Sequence, residues 1–135
     1  MMNGLVFITP VYAGFFGILL VILSARVTRL RNKHEGKMRE TGHTEMTAAV
    51  RAQSNIVEYL PTALLLMWML ETMQFRGWLI HALGVFLVIA RLMHLHGLNE
   101  PSGASLKRKL GTRLTWVHIV ICSVLCFAGA LGFVF

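Results

Sequence analysis

The stretch Arg51-Ala52-Gln53-Ser54-Asn55-Ile56-Val57-Glu58-Tyr59-Leu60-Pro61 holds the side chains best equipped for chemistry. Wound as a helix at about 100° per residue, it puts Arg51, Asn55, Glu58, Tyr59 and Thr62 within an arc of roughly 100°. A cation, an amide, a carboxylate, a phenol and a hydroxyl then share one face. That face leads straight into Ala63-Leu64-Leu65-Leu66-Met67-Trp68-Met69-Leu70. Ionisable groups at the mouth of a membrane helix are costly unless they pair, line a wet cavity or hold a ligand.

Two more polar sets fall at the same level of a helical bundle: Arg26 after the first apolar segment, and Arg91 with His94 after the third. Several cations with one carboxylate and a phenol suit a small zwitterion rich in carboxylates. Arginine grips carboxylates bidentately, and Glu58 suits an ammonium. Glutathione has this charge pattern, and nearby positive charge with a hydrogen-bond donor favours its thiolate. The same side chains also make a structural network in which Glu58 neutralises Arg51 or Arg91 between helices. The residues alone leave both readings open.

The elements that must position these groups are set by hydrophobicity. Of 135 residues, 56% are hydrophobic and 14% charged, and the mean hydropathy is +0.64. A soluble domain carries about one quarter charged residues. The apolar excess forms four blocks that approach the ~20 residues needed to span a bilayer. The expected fold is all-α: one integral membrane four-helix bundle over residues 1–135, with helices near 5–31, 47–73, 77–98 and 112–134. Thr47 is the expected N-cap of the second helix, and Pro61 predicts a kink that frees the Val57 carbonyl. Gln74-Phe75-Arg76-Gly77 reads as a short turn. Glu71 and Trp68 mark the interface at that end.

A net charge of +7 raises the question of nucleic acid, but the distribution of the cations answers it. Twelve of thirteen Lys and Arg residues lie between Arg26 and Arg51 or between Arg91 and Arg113. Those two segments hold loops one and three of a four-helix membrane protein. The positive-inside rule puts both in the cytoplasm, and both termini on the other side. Juxtamembrane cations such as Arg29 and Arg31 suit lipid headgroups. The first segment lacks a charged leader and a cleavage site and reads as a retained helix.

Metal chemistry finds no pattern here. His94 and His96 point to different helix faces, and no acidic or cysteine cluster accompanies them. Cys122 and Cys126, four apart in the last segment, read as packing residues, as does His118. Neither a Gly-rich phosphate loop nor a nucleophile elbow is present.

Arg51-Ala-Gln-x-Asn55-x-x-Glu58-Tyr59-x-Pro61, followed by Trp68, resembles the signature of the MAPEG family, membrane-associated proteins in eicosanoid and glutathione metabolism. Ser24-Ala25-Arg26, Ala90-Arg91-Leu92 and Gly97 extend the resemblance over nearly the whole chain, which looks most like the small bacterial members. The resemblance implies a homotrimer in the inner membrane with glutathione, as co-substrate or ligand, bound between subunits near the cytoplasmic face. Its glutathione-binding positions fall on Arg26, Arg51, Asn55, Glu58, Tyr59 and Arg91. The chain departs from the eicosanoid-forming members at several points. Their two tyrosines on helix three correspond to His94 and Leu98, and their second arginine after helix one to Val27. Their thiolate-activating arginine falls on Ala104, with Lys107 and Arg108 nearby. Any activation of the thiol therefore rests on Arg108, Lys107 or His94. The resemblance implies glutathione binding and leaves transfer to lipophilic electrophiles open. The alternative is a non-catalytic membrane protein using the cluster as a structural lock or ligand sensor. A small multidrug transporter relies on an acidic residue in helix one, and no charge lies between Leu5 and Ala25 here.

The charge pattern fixes an expected orientation. A cysteine introduced at Lys37 or Gly103 should be shielded from an impermeant thiol reagent in intact cells, and one at Asn3 labelled. The reverse pattern would overturn the orientation.

Overall fold

Peptide groups in a lipid core have no water to bond, so an apolar chain of this kind satisfies its backbone within helices. The computed structural model describes residues 7–34, 44–98 and 106–133, and they form α1 (Thr9–His34), α2 (Thr44–Thr72), α3 (Gly77–Leu98) and α4 (Leu106–Ala130). Asn3, Lys37, Gly103 and Ala104 lie outside the described residues, as does the side chain of Leu98. Helices α1, α3 and α4 contain stretches long and apolar enough to cross a membrane: Thr9–Lys33, Gly77–Gly97 and Leu106–Ala130. The 29 residues of α2 give it a length of about 43 Å, ample for a bilayer, but Arg51, Glu58 and Glu71 dilute its hydropathy.

Helix α2 nevertheless keeps an apolar inner seam, while Arg51 and Glu58 stand on its exposed side. It packs against all three other helices, whereas α1 and α4 do not touch among the described residues. Its inner stripe is Ala49, Ala52, Ile56, Leu60, Ala63, Met67 and Leu70, all buried. Steps of three and four keep this seam facing its neighbours, as in a left-handed helical bundle. On α4 the buried stripe is Gly111, Thr115, His118, Cys122, Cys126 and Gly129. Small residues there let backbones approach. The outer faces of α1 (Val11, Phe15, Ile18, Ile22) and α4 (Val117, Val120, Val124, Phe127) are exposed and apolar. Continuous apolar exposure of this kind suits contact with lipid.

Interhelical contacts sort the ends of the bundle. At one end Gln53 Nε2 donates to Ser24 Oγ at 2.9 Å, and Arg91 of α3 reaches α2. The C-terminal ends of α1 and α3 and the N-terminal ends of α2 and α4 therefore lie at this end. At the other end the Glu71 carboxylate accepts from the backbone N–H groups of Ile8 and Thr9. Glu71 is thus more than an interface marker: it caps α1 from another helix, meeting amides that have no partner within their own turn.

Several boundaries differ from the expected ones. Helix α2 starts at Thr44, so Thr47 lies inside it, exposed, and is not its cap. Glu45 occupies the first turn, where negative charge suits the helix dipole. Pro61 lies within a helix that runs on through it. Helix α4 begins at Leu106, so Lys107, Arg108 and Lys109 form its first turn. Cations oppose the dipole there, and packing supplies the reason the turn forms. A Cβ on Gly97 would overlap the backbone N and Cα of Arg108. One on Gly111 would sit 2.6 Å from the Ala90 carbonyl oxygen and 2.6 Å from His94 N. Each helix offers a glycine to the other's backbone, and α3 and α4 meet at main-chain contact.

Two helix ends close by the same device. After α4, Phe133 N donates to Ala128 O and Gly132 N to Gly129 O, with Gly132 at φ 75°. After α2, Phe75 N donates to Leu70 O and Gln74 N to Glu71 O, with Gln74 at φ 63°. Both are Schellman motifs, but the second places a side chain where glycine is preferred.

Two stability measurements follow, both read by thermal unfolding in detergent. Gln74→Gly should stabilise the protein by about 1 kcal/mol, because it removes a left-handed side-chain penalty. Gly111→Ala should cost about 1–3 kcal/mol, since the added methyl meets backbone that cannot step aside. A neutral Gly111→Ala would mean that α3 and α4 are not in main-chain contact.

Candidate functional site

The cationic end of the bundle contains a cleft of roughly 270 Å³ lined by Arg51, Ser54, Asn55, Glu58, His94 and Arg108. Four of these come from one stripe of α2, spaced at i, i+3, i+4 and i+7. His94 arrives from the last turn of α3 and Arg108 from the first turn of α4. The lining thus carries two guanidinium groups, one carboxylate, an imidazole, an amide and a hydroxyl. Arg51 and Glu58 are exposed, so the cleft opens outward across α2. Positive potential from the α4 N-terminus adds to that of Arg108.

Glu58 forms no ion pair with Arg51 or Arg91 among the described residues. Glu58 is instead exposed on α2, in the lining of the cleft. Arg91, by contrast, is only 1% exposed. It lies behind the cleft wall, where its Nη1 donates to the Asn55 carbonyl oxygen at 3.3 Å. Its Nε and Nη2 have no partner, and neither does Asn55 Oδ1. Unsatisfied donors on a buried cation are expensive. These orphaned atoms, next to a cleft with the right charges, fit an acidic ligand that brings acceptors.

His94 is 5% exposed and held from α4. Its Nδ1 lies 3.2 Å from the Arg108 carbonyl oxygen and 3.0 Å from Thr112 Oγ1. Thr112 Oγ1 itself donates to the same carbonyl at 3.2 Å. A carbonyl only accepts, so Nδ1 carries the proton, and in the neutral ring Nε2 keeps a lone pair. Nε2 is buried and unpartnered.

The remaining sequence candidates lie elsewhere. Arg26 of α1 faces Glu45 at 3.9 Å. Tyr59 is half-buried, with its ring 6.5 Å from that of Trp116. Lys107 is exposed and outside the cleft lining. Two residues escaped the sequence reading. Ser54 belongs to the Arg51/Asn55/Glu58 stripe, and its i+3 spacing was the available signal. Thr112 is one turn beyond Arg108, a relation visible only once α4 is extended back to Leu106. Deeper in the bundle, Cys122 Sγ approaches His118 Nε2 at 3.7 Å, and His118 stacks on Phe86. Both cysteines are free and buried.

Comparison with known proteins agrees with this architecture. The sequence model of the MAPEG family matches residues 9–128. The chain is also similar to the inner membrane protein YecN of Escherichia coli, in strain K12 and in an O6:H1 strain. Each is 31% identical over 114 residues, which cover 84% of this chain and 86% of the relative. Helices of membrane-spanning length and a family match over most of the chain lead to one conclusion: this membrane protein belongs to the MAPEG family.

Proposed function

We propose that this protein binds glutathione at the cationic end of its bundle, as a homotrimer in the inner membrane, and transfers it to lipophilic electrophiles. The observation that carries the reading is the cleft lining: two arginines and one free carboxylate, with buried donors behind them. Glutathione has two carboxylates and one ammonium. Arg51 and Arg108 suit the carboxylates, and Glu58 the ammonium. Asn55 and Ser54 add neutral hydrogen-bonding groups.

A trimer accounts for the exposure of Arg51 and Glu58 on α2. Charges on the outside of a membrane bundle are costly, and a neighbouring copy across the cleft would remove them from lipid. Arg26 and Tyr59, outside the cleft of their own chain, are assigned to the ligand shared with that neighbour. Lipophilic partners enter from the bilayer, which already concentrates them. With loops one and three in the cytoplasm, the cleft meets cytoplasmic glutathione and both termini face away from it. The relative named YecN is an inner membrane protein, which supports the same membrane for this one.

Glutathione should raise the unfolding temperature of the detergent-purified protein, because a ligand stabilises the state it binds. Glu58→Gln should weaken binding by about 1–3 kcal/mol, the range for a charged hydrogen bond. A des-amino analogue should then bind wild type and variant nearly alike. Equal weakening of both ligands would make Glu58 structural, and absence of any glutathione effect would sink the binding reading.

A further inference from the structure

We infer that His94 is the general base for the thiol, taking its proton on Nε2, and that Thr112 is the positioning residue that keeps this nitrogen available. The inference rests on the glutathione reading but assigns a role that charge alone does not. It starts from the glycine contacts. Gly97 and Gly111 bring the first turn of α4 against α3 at backbone distance. That approach is what lets the Arg108 carbonyl and Thr112 Oγ1 both reach His94 Nδ1, at 3.2 Å and 3.0 Å. The ring is therefore oriented, and its tautomer set, by main chain and a hydroxyl. What remains is Nε2: buried, without a partner, on a residue that lines the cleft. An orientating bond on one ring nitrogen and a free lone pair on the other is the arrangement of a catalytic histidine base.

The charged groups facing the ring are Arg91 on its own helix, Arg108 on α4, and Arg51 with Glu58 across the cleft on α2. Cations outnumber the carboxylate, so the setting favours a thiolate and opposes a lone imidazolium; the two charges therefore form together, as an ion pair across the S–H···Nε2 contact. In the step, the S–H bond breaks with its electron pair left on sulfur, and the proton forms an N–H bond at Nε2. The Nδ1–H bond to the Arg108 carbonyl persists through the transfer. Sulfur then forms its bond to the electrophilic carbon. In a displacement the leaving group departs with the bonding pair, and the Nε2 proton passes to it or to water, which restores the neutral ring. In a conjugate addition the Nε2 proton passes to the carbon that received the pair. No oxidant or reductant is consumed.

The discriminating quantity is where the proton goes. Thiolate formation is read by ultraviolet absorbance as glutathione saturates the full-length protein in detergent at neutral pH. Proton release to a weak buffer is read in parallel. With a histidine base, thiolate appears while the buffer receives almost no proton. His94→Asn keeps a donor toward the Arg108 carbonyl and deletes Nε2, and His94→Gln is its control for folding. Either should lower turnover with a general electrophile about 10²-fold or more, with a far smaller loss of glutathione binding. Thr112→Val should lower kcat with little change in KM and move the rise of the kcat–pH profile, and Thr112→Ser should restore both. Thiolate formation that releases its full proton and survives in His94→Asn would overturn the base, leaving the work to the cations. Binding without any thiolate would overturn it equally, and both results leave glutathione binding standing. Loss of binding in the wild type would remove the parent reading and this one together. A Thr112→Val protein indistinguishable from wild type, or a Thr112→Ser protein that does not recover, would remove the positioning role.

Discussion

A guanidinium that is almost wholly buried, held by one carbonyl and faced by no carboxylate among the described residues, is the constraint around which the cationic end of this bundle is arranged. Arg91 gains a single hydrogen bond from α2 and leaves two donors unused. Burial of a charge without a partner costs several kcal/mol in a real protein. The fold offsets that cost elsewhere, through the apolar seam of α2 packed against Ile80, Leu83 and Leu87 of α3 and Cys122 and Cys126 of α4. That packing holds the cation in place while its own interactions stay incomplete. The neighbouring Asn55 and His94 are in the same position, each with one buried atom unmet. Three incompletely bonded side chains thus sit together beside one cleft.

Helix α2 serves two purposes that conflict in most membrane helices. One face is an uninterrupted seam at the centre of the bundle, and the other carries Arg51, Ser54, Asn55 and Glu58. A helix in contact with lipid on its outer side could not carry those charges cheaply. The central place of α2 explains how it holds its seam despite modest hydropathy. The close meeting of α3 and α4 is the second device. Gly97 and Gly111 turn a helix crossing into main-chain contact, and the nearby side chains of His94 and Thr112 gain fixed partners from it.

Much of this was legible in the sequence, and what was not has identifiable causes. Four helices and the polar stripe of α2 follow from spacing alone, because 3.6-residue periodicity leaves little choice. The stripe was read slightly rotated. By helical phase Tyr59 lies at one edge of that arc, and the cleft reaches past the other edge to Ser54; Thr62 shares the phase but sits a turn beyond the cleft lining. Lys107-Arg108-Lys109 resembled a loop because three cations oppose a helix N-terminus. Only the glycine contacts with α3 explain why that turn is helical. Nor could Arg91 be recognised as buried, since an arginine near a helix end is usually drawn toward water. Glu71 looked like a boundary residue because its true partners, the amides of Ile8 and Thr9, lie more than sixty positions away.

That last contact bears on how the chain is assembled as it emerges from the ribosome. Helix α1 is made first, and its opening amides wait for a carboxylate that is synthesised at the end of α2. Until then they lack the partner supplied in the finished fold and depend on interfacial water. The α1–α2 hairpin is therefore the earliest unit able to settle. It needs nothing from α4, which α1 never touches among the described residues. The α3–α4 pair, joined through its own glycines, makes a second unit that docks on α2. The contacts of the finished fold thus divide the chain into two hairpins, with Glu71 closing the first.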